Sequence, residues 1–338
     1  MKIKQGFIWI QLFTFRRVLN ICLLGAGYML SRILKKPMQW GLPVAVSIEP
    51  TTACNLGCPE CPSGLKQFTR PTGKMDLTDH EDWLDQLAKT TMYVTYYFQG
   101  EPFLHPQFLA MVCAAKQRKM FTASSTNAHF ITKELANQIV KSGLDQLIIS
   151  VDGVSQNVYQ QYRVHGNISK VWEAAEFLVE AKRKLNSTTP HLIFQCLAVR
   201  PNEHEIPLVF EKAKKLGIDE VRIKTAQLYD YKFGNSLIPE NEAYSRYKKN
   251  RKGEFELKNP GGNHCWRMWS GCVITWDGKI VPCCFDKDAQ HTFGNLKNTS
   301  FVEIWSNESY RRFRRMLLTN RKGIAICTNC TEGTKIWA

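Results

Sequence analysis

Cys54, Cys58 and Cys61 stand in one loop, Thr52-Ala53-Cys54-Asn55-Leu56-Gly57-Cys58-Pro59-Glu60-Cys61-Pro62, at C-x3-C-x2-C spacing. The loop follows the apolar run Val44-Ala45-Val46-Ser47-Ile48, which reads as a strand. Thiolates this close on one loop hold three corners of an iron–sulfur cube. No fourth cysteine lies nearby, so one iron is left without a protein ligand, which is the arrangement of a chemical site rather than a structural one. On the loop alone two further readings stay open. Zinc takes four ligands, usually in paired C-x2–4-C knuckles, and a disulfide with a spare thiol would suit a secreted chain.

The residues that follow narrow the choice. A β-rich run over 92–98 ends in Gln99-Gly100-Glu101-Pro102, and one at 120–123 leads into Ser124-Ser125-Thr126-Asn127. A third run, 146–149, leads into Ser150-Val151-Asp152-Gly153, and a fourth spans 192–199 around Gln195. A lone Ser-x-Asp-Gly is usually only a turn. The cysteine loop followed by these strand ends in this order resembles the radical SAM superfamily. The resemblance implies that Cys54, Cys58 and Cys61 ligate a [4Fe-4S] cluster whose open iron takes S-adenosyl-L-methionine (SAM). An electron from the cluster then releases a 5'-deoxyadenosyl radical, which abstracts hydrogen from a substrate. Gln99, Gly100 and Glu101 take the place of the family's Gly-Gly-Glu at the methionine amino group. Ser124, Thr126, Asn127, Ser150 and Asp152 approach the methionine carboxylate and ribose, and Gln195 belongs to the adenine wall. Glu60 departs from the pattern, because the residue before the third cysteine is often aromatic in this family.

Stretches 78–90, 106–118, 132–142, 167–186 and 203–216 carry apolar residues at helical spacing, with Thr78, Thr132 and Asn167 as expected N-caps. Strand–helix alternation predicts a parallel sheet with right-handed crossovers, and the resemblance makes it a partial (βα)6 TIM-like barrel. The predicted divisions are an N-terminal basic and apolar helical extension at 1–43, a core at 44–230 and a small auxiliary domain at 231–338.

The tail contains Cys265, a hairpin signal over 273–281 with Asp277-Gly278 at the turn, Pro282-Cys283-Cys284, Phe293-Gly294-Asn295-Leu296, a helix from about 300 to 318, and Cys327-Thr328-Asn329-Cys330. This series resembles the SPASM/twitch extension of radical SAM enzymes. It implies a second, auxiliary [4Fe-4S] cluster on Cys265, Cys283, Cys327 and Cys330. Adjacent strand residues face opposite ways, so only one of Cys283 and Cys284 reaches it, and Cys283 is preferred. Cys272 and Cys284 are too few for a further cluster. Cys22, Cys113 and Cys196 lie in apolar segments and read as small hydrophobes.

Twelve cysteines in 338 residues are expected to be reduced, since nine fall into these two sets, which places the chain in the cytoplasm. The net charge of +15 is uneven, with seven Lys/Arg and no acid before Glu49. The apolar, basic N-terminal segment has two placements: an interfacial helix on the inner face of a membrane, making peripheral contact through residues 1–36, or a helix packed across the open side of the barrel with solvated arginines. No stacking platform or recognition motif accompanies the charge, so no nucleic acid is expected. The resemblance further implies a reductant such as flavodoxin or ferredoxin. The substrate is expected to be a sugar, cyclitol or glycan precursor that is oxidised or otherwise modified. A peptide or protein side chain is the alternative, and a non-catalytic SAM-binding or electron-transfer protein is a further one. Catalytic residues stay unassigned. Lys224, Tyr229, Asp230 and Asp286 are candidates for a base by position.

Overall fold

The computed structural model describes residues 12–333. Residues 1–11 of the N-terminal extension lie outside the described residues. A long helix, α1 (Phe15–Leu34), precedes six strands: β1 (Ala45–Ile48), β2 (Tyr93–Tyr96), β3 (Phe121–Thr126), β4 (Gln146–Ser150), β5 (His191–Ala198) and β6 (Glu220–Thr225). They lie side by side in chain order and every neighbouring pair is parallel. The crossovers are helical: α2 (Leu77–Leu87), α3 (Phe108–Gln117), α4 (Lys133–Lys141), α5 (Gln156–Tyr162) with α6 (Ile168–Lys184), and α7 (Ile206–Leu216). This is the partial barrel expected from the alternation, with the loops gathered at the C-terminal ends of the strands. Thr132 and Asn167 cap α4 and α6 through Leu135 N and Ser169 N. The α2 cap is Asp76 rather than Thr78: its carboxylate accepts from Thr78 N and Asp79 N, which places Thr78 inside the first turn.

The period-2 pleat sorts the strand residues. Outward-facing Leu147, Ile149, Leu192, Phe194 and Cys196 are fully buried beneath the helices. The register aligns Ser150, Gln195 and Arg222 in one inward row, and Leu197 with Lys224 in the next. The inside of this barrel is therefore more polar than its outside.

Beyond β6 come a small ribbon, β7 (Tyr247–Lys249) and β8 (Phe255–Leu257), and then β9 (Gly271–Ile274), β10 (Lys279–Val281) and β11 (Gly294–Asn295). The turn after β9 is the one predicted, with Gly278 at φ 87°, where a Cβ would lie 2.8 Å from Asn295 Oδ1. β9 pairs in parallel with β1, so the tail hairpin continues the barrel sheet to nine strands. The tail helix is two helices, α8 (Phe301–Ser306) and α9 (Glu308–Asn320). Asn307 is extended between them and caps Tyr310 N, a stronger local bond than continuation of the first helix offers.

α1 crosses the N-terminal end of the barrel, not its open side. Arg17, expected to be solvated, is 2% exposed, and its guanidinium donates to the carbonyls of Leu12, Ala88, Arg118 and Lys119. The last three residues immediately precede β2 and β3. Leu12 packs with Met92 and Phe121 at the barrel floor, and Tyr28 sits edge-on to Trp266 and Trp269 of the tail.

Candidate functional site

The cysteine loop is fastened to the end of β2 by backbone. Glu101 N donates to Ala53 O at 2.7 Å, and Gly100 N donates to Ser63 Oγ at 2.9 Å. Gly100 has φ 76°, and a Cβ there would lie 2.2 Å from Thr51 O, so no other residue fits. Cys54, Cys58 and Cys61 line a cavity of about 220 Å³ together with Gly100, Glu101, Thr126, Asn127 and Ser150. It opens at the C-terminal ends of the strands.

Around it, most polar groups are already engaged with one another. Glu101 is 2% exposed, and its carboxylate accepts from Thr126 Oγ1 at 2.8 Å and from Asn127 N at 2.7 Å. Burial pushes its pKa up to about 7 despite these bonds. Asn127 Nδ2 in turn donates to Asn55 Oδ1 at 2.7 Å and lies 3.9 Å from Cys54 Sγ, tying β3 to the cysteine loop. Burial raises the Cys54 thiol to about 11 and moves Cys58 upward as well. In the metal-free protein these thiols are therefore neutral, and metal binding has to displace their protons.

Other predicted residues sit one step back. The Ser124 hydroxyl is turned out of the cavity and bonds Tyr96 O, because β3 runs three residues further than expected, to Thr126, and its pleat presents Ser125 instead. Gln99 reaches the cysteine side, accepting from Cys61 Sγ at 3.8 Å, without lining the cavity. Gln195 is on the inward face but also outside the lining, where Leu197 takes its place. Asp152 is fully buried; it accepts from Leu197 N at 2.6 Å and pairs with Arg163 at 2.5 Å.

Arg163 is the residue sequence reasoning missed. It follows α5, lines the cavity, and points Nη1 at Cys58 Sγ from 3.7 Å. Burial works against its charge, but the neighbouring groups, the Asp152 carboxylate foremost, outweigh burial and push its pKa up. A cation held here beside Ser150 suits a carboxylate or a cluster's negative charge. Nothing local announces it; only the fold brings it to Asp152.

Glu60 bends across the mouth. Its carboxylate accepts from Tyr229 N at 3.0 Å, and its own carbonyl accepts from Lys287 Nζ at 3.2 Å, so it joins the cysteine loop to the chain after β6 and to the tail. Asp286 is no candidate for a base: it is 1% exposed, and both oxygens accept backbone donors, Gln290 N and His291 N. Tyr229 is half-exposed and Lys224 is exposed on the inward face.

The tail thiols form a second group. Cys265, Cys283, Cys327 and Cys330 line a narrower cavity of about 20 Å³, walled by Phe313, Leu317 and Ile326. Arg321, 1% exposed, crosses it, donating to Cys330 Sγ at 3.3 Å and to the carbonyls of His264 and Glu332. Burial raises Cys265, Cys283 and Cys327, the last to about 12. Cys284 is outside this lining and faces Arg267 Nη1 at 3.7 Å, while Cys283 reaches the cavity; the pair lies beyond the end of β10, so a turn and not the expected strand alternation separates the two side chains. Cys272 is buried on β9 in the main core. Among the described residues no three Cys, His, Asp or Glu side chains converge tightly enough for a single metal ion. Both sets surround a space rather than a point. Three and four soft sulfur donors of this kind fit iron–sulfur clusters, and the extra room and polar wall of the first cavity fit SAM.

Comparison with known proteins agrees. A profile of the radical SAM superfamily matches residues 48–195, and one of the SPASM iron–sulfur cluster-binding domain matches residues 265–331. The chain is 26% identical over 315 residues to the tungsten-containing aldehyde ferredoxin oxidoreductase cofactor-modifying protein of Pyrococcus furiosus, covering 84% of this chain and 86% of that one. It is 22% identical over 308 residues to the PqqA peptide cyclase of Bradyrhizobium diazoefficiens, covering 85% and 79%. The fold is shared with Streptococcus suis SuiB bound to its precursor peptide SuiA, at a TM-score of 0.63 and 16% identity over 87% of this chain and 70% of that one. With its three-thiol cavity at the strand ends and its four-thiol tail, the chain belongs to the radical SAM superfamily and is an enzyme of the branch that carries a C-terminal SPASM-type domain.

Proposed function

We propose that this enzyme modifies a peptide or protein side chain by radical chemistry. The three-thiol cavity beside Ser150 and Arg163 carries the reaction class. The peptide reading is supported by the likeness to a peptide cyclase along most of both chains. When bound, the first cluster and SAM supply a 5'-deoxyadenosyl radical. The protein's own part is positioning. Cys54, Cys58 and Cys61 would hold the cluster, and the fastening of Gly100 and Glu101 to Ala53 and Ser63 fixes the loop against β2. Arg163 and Ser150 present donors for a carboxylate. Glu60, Tyr229 and Lys287 close one side of the mouth, and among the described residues β6 pairs only with β5, so the sheet ends there as an edge. Cys265, Cys283, Cys327 and Cys330 would hold the auxiliary cluster. A single auxiliary set also favours a second reading, oxidation of an alcohol on a sugar, cyclitol or glycan precursor. The proposal includes a cytoplasmic setting, a flavodoxin or ferredoxin as reductant, and peripheral contact of the N-terminal segment with the inner face of a membrane.

The test begins with anaerobic purification and iron and 5'-deoxyadenosine assays. Reduced enzyme is then given a lysate split by ultrafiltration into peptide-sized and metabolite-sized fractions. Stimulation of SAM cleavage by the first, abolished by prior protease treatment, supports the peptide reading; stimulation by the second replaces it with the sugar reading.

A further inference from the structure

We propose that α1 lies flat on an anionic bilayer surface at the floor of the barrel, with the catalytic mouth turned away from the lipid. This rests on the membrane contact proposed above and assigns its face and its orientation.

The helix has two faces of opposite character. Arg17, Asn20, Leu24, Tyr28 and Ser31 are buried against the protein. Phe15, Leu19, Cys22, Ala26, Met29 and Ile33, at alternating spacings of four and three, form one exposed apolar stripe, with Phe15 83% and Ile33 71% exposed. At 1.5 Å per residue the 20-residue helix is about 30 Å long, enough to cross a bilayer. It cannot do so while folded as observed. Arg17 is committed to four carbonyls, Asn20 exchanges two hydrogen bonds with the Leu42 backbone, and Ser31 bonds Met38 N. These contacts hold the polar face on the barrel, leaving the stripe to lie in the interface plane. Trp40, 46% exposed, adds an aromatic on the segment that joins the helix to β1.

The charge around the stripe is predominantly basic. There is no acid before Glu49, and Arg16, Arg32, Lys35 and Lys36 border the helix. Exposed Lys89, Lys119, Lys141, Lys184 and Lys215 sit in the segments that enter β2 to β6, at the same end of the barrel. Cations at helix C-termini are ordinary, but the acids in the segments that enter the strands, Asp85, Asp145, Asp219 and Glu220, are paired with Arg118, Lys116, Lys182 and Arg222 respectively. Glu81 and Asp82 of α2 are exposed acids close to this end, but the basic residues outnumber them, and an apolar stripe in a predominantly basic field matches anionic headgroups. A second copy of the chain would bring two such fields together and is disfavoured by their repulsion.

The cavity opens at the other end of the strands. The eight residues of β5 alone separate the two ends by roughly 26 Å. A docked enzyme therefore meets its substrate from water, which favours a soluble peptide over a group still attached to a lipid carrier.

The test uses the reconstituted holoenzyme in vesicle flotation with phosphatidylcholine alone and with added phosphatidylglycerol, followed by hydrogen exchange on the vesicles. Flotation only with the anionic vesicles is expected, lost at least tenfold in L19E/I33E at unchanged iron content and unchanged 5'-deoxyadenosine formation. Exchange protection is expected over residues 15–36 and not over the mouth segments 54–68 and 226–240. No flotation overturns the membrane contact altogether. Flotation with protection over the mouth overturns the orientation alone. Protection of 15–36 without vesicles, with a dimer mass by light scattering, assigns the stripe to a second copy. Deoxyadenosine formation reports separately on the radical enzyme.

Discussion

The two thiol cavities are built from the same element and differ in everything around it. The first has three cysteines on a loop, about 220 Å³ of space, and a wall of hydroxyls, an amide and an arginine. The second has four cysteines gathered from segments 65 residues apart in sequence, about 20 Å³ of space, and an apolar wall of Phe313, Leu317 and Ile326. A full ligand set in a dry pocket holds its cluster and admits nothing else. An incomplete set in a polar, open cavity leaves a coordination position and room for a second molecule to use it. Each cavity keeps one arginine against its thiols, the partly buried Arg163 in the first and the buried Arg321 in the second. The negative charge of cluster and thiolates is met inside the protein in both places, and only the access differs.

The sharpest way to break the comparison is to empty one cavity at a time. Replacing Cys54, Cys58 and Cys61 together with alanine is expected to remove about four irons and all SAM cleavage, leaving about four on the tail by iron and sulfide assay. If iron content is unchanged, the loop is not the open site. Gly100→Ala comes next: at φ 76° its Cβ meets Thr51 O, so the cysteine loop has to shift, and 5'-deoxyadenosine formation should fall at least about tenfold while the tail cluster's iron is retained.

The two arginines give a graded test. Arg163→Gln strands fully buried Asp152 and should cost about 3–5 kcal/mol in denaturant unfolding together with a weaker Kd for SAM. Arg321→Gln takes a charged donor from buried Cys330 Sγ and from the partly buried carbonyls of His264 and Glu332; a loss of roughly 1–3 kcal/mol is expected, with SAM binding unchanged. Equal effects on SAM binding would erase the distinction between the cavities.

Glu101 supplies a pH signature that only the first cavity has. Its pKa in the folded chain, about 7, lies above the ordinary carboxyl value of 4.5, so its contribution favours the fold below pH 4.5 and is lost as pH rises through 7. In metal-free protein the loss is roughly 3 kcal/mol, and Glu101→Gln should flatten that part of the stability profile. The smallest expected effect is Cys284→Ala: iron per chain should stay the same, whereas Cys283→Ala removes the tail cluster. If the two behave alike, the placement of Cys283 inside the cavity and Cys284 outside it fails as an assignment of the ligand.

Much of the first cavity was legible because its residues sit at strand ends, where local patterns are strong. Cys54, Cys58, Cys61, Gly100, Glu101, Thr126, Asn127 and Ser150 are all in the lining. Ser124 was misplaced by a strand boundary, since the strand continues through 124–126 and its pleat turns Ser125 inward in place of Ser124. The single tail helix was misread because an asparagine cap at 307 competes locally with helix continuation. Arg163 was invisible because its partner, Asp152, is met only after α5 folds back over the strand end. For α1, packing and exposure were posed as alternatives, and the fold combined them on opposite faces of one helix.

The order of strands and helices, the three-cysteine loop and the tail cysteines were determined by the sequence itself, because spacing along one element or loop fixes which side chains share a face. Tertiary structure alone decided what those groups meet. It joined the tail hairpin to β1 as a continuation of the sheet, set Arg163 between Asp152 and Cys58, turned Glu60 onto Tyr229, and sank Arg17 into the barrel floor while leaving Phe15 and Ile33 in the open. Each of these joins residues far apart in the chain, and the need to satisfy buried charges and backbone groups is expressed only when distant segments pack together.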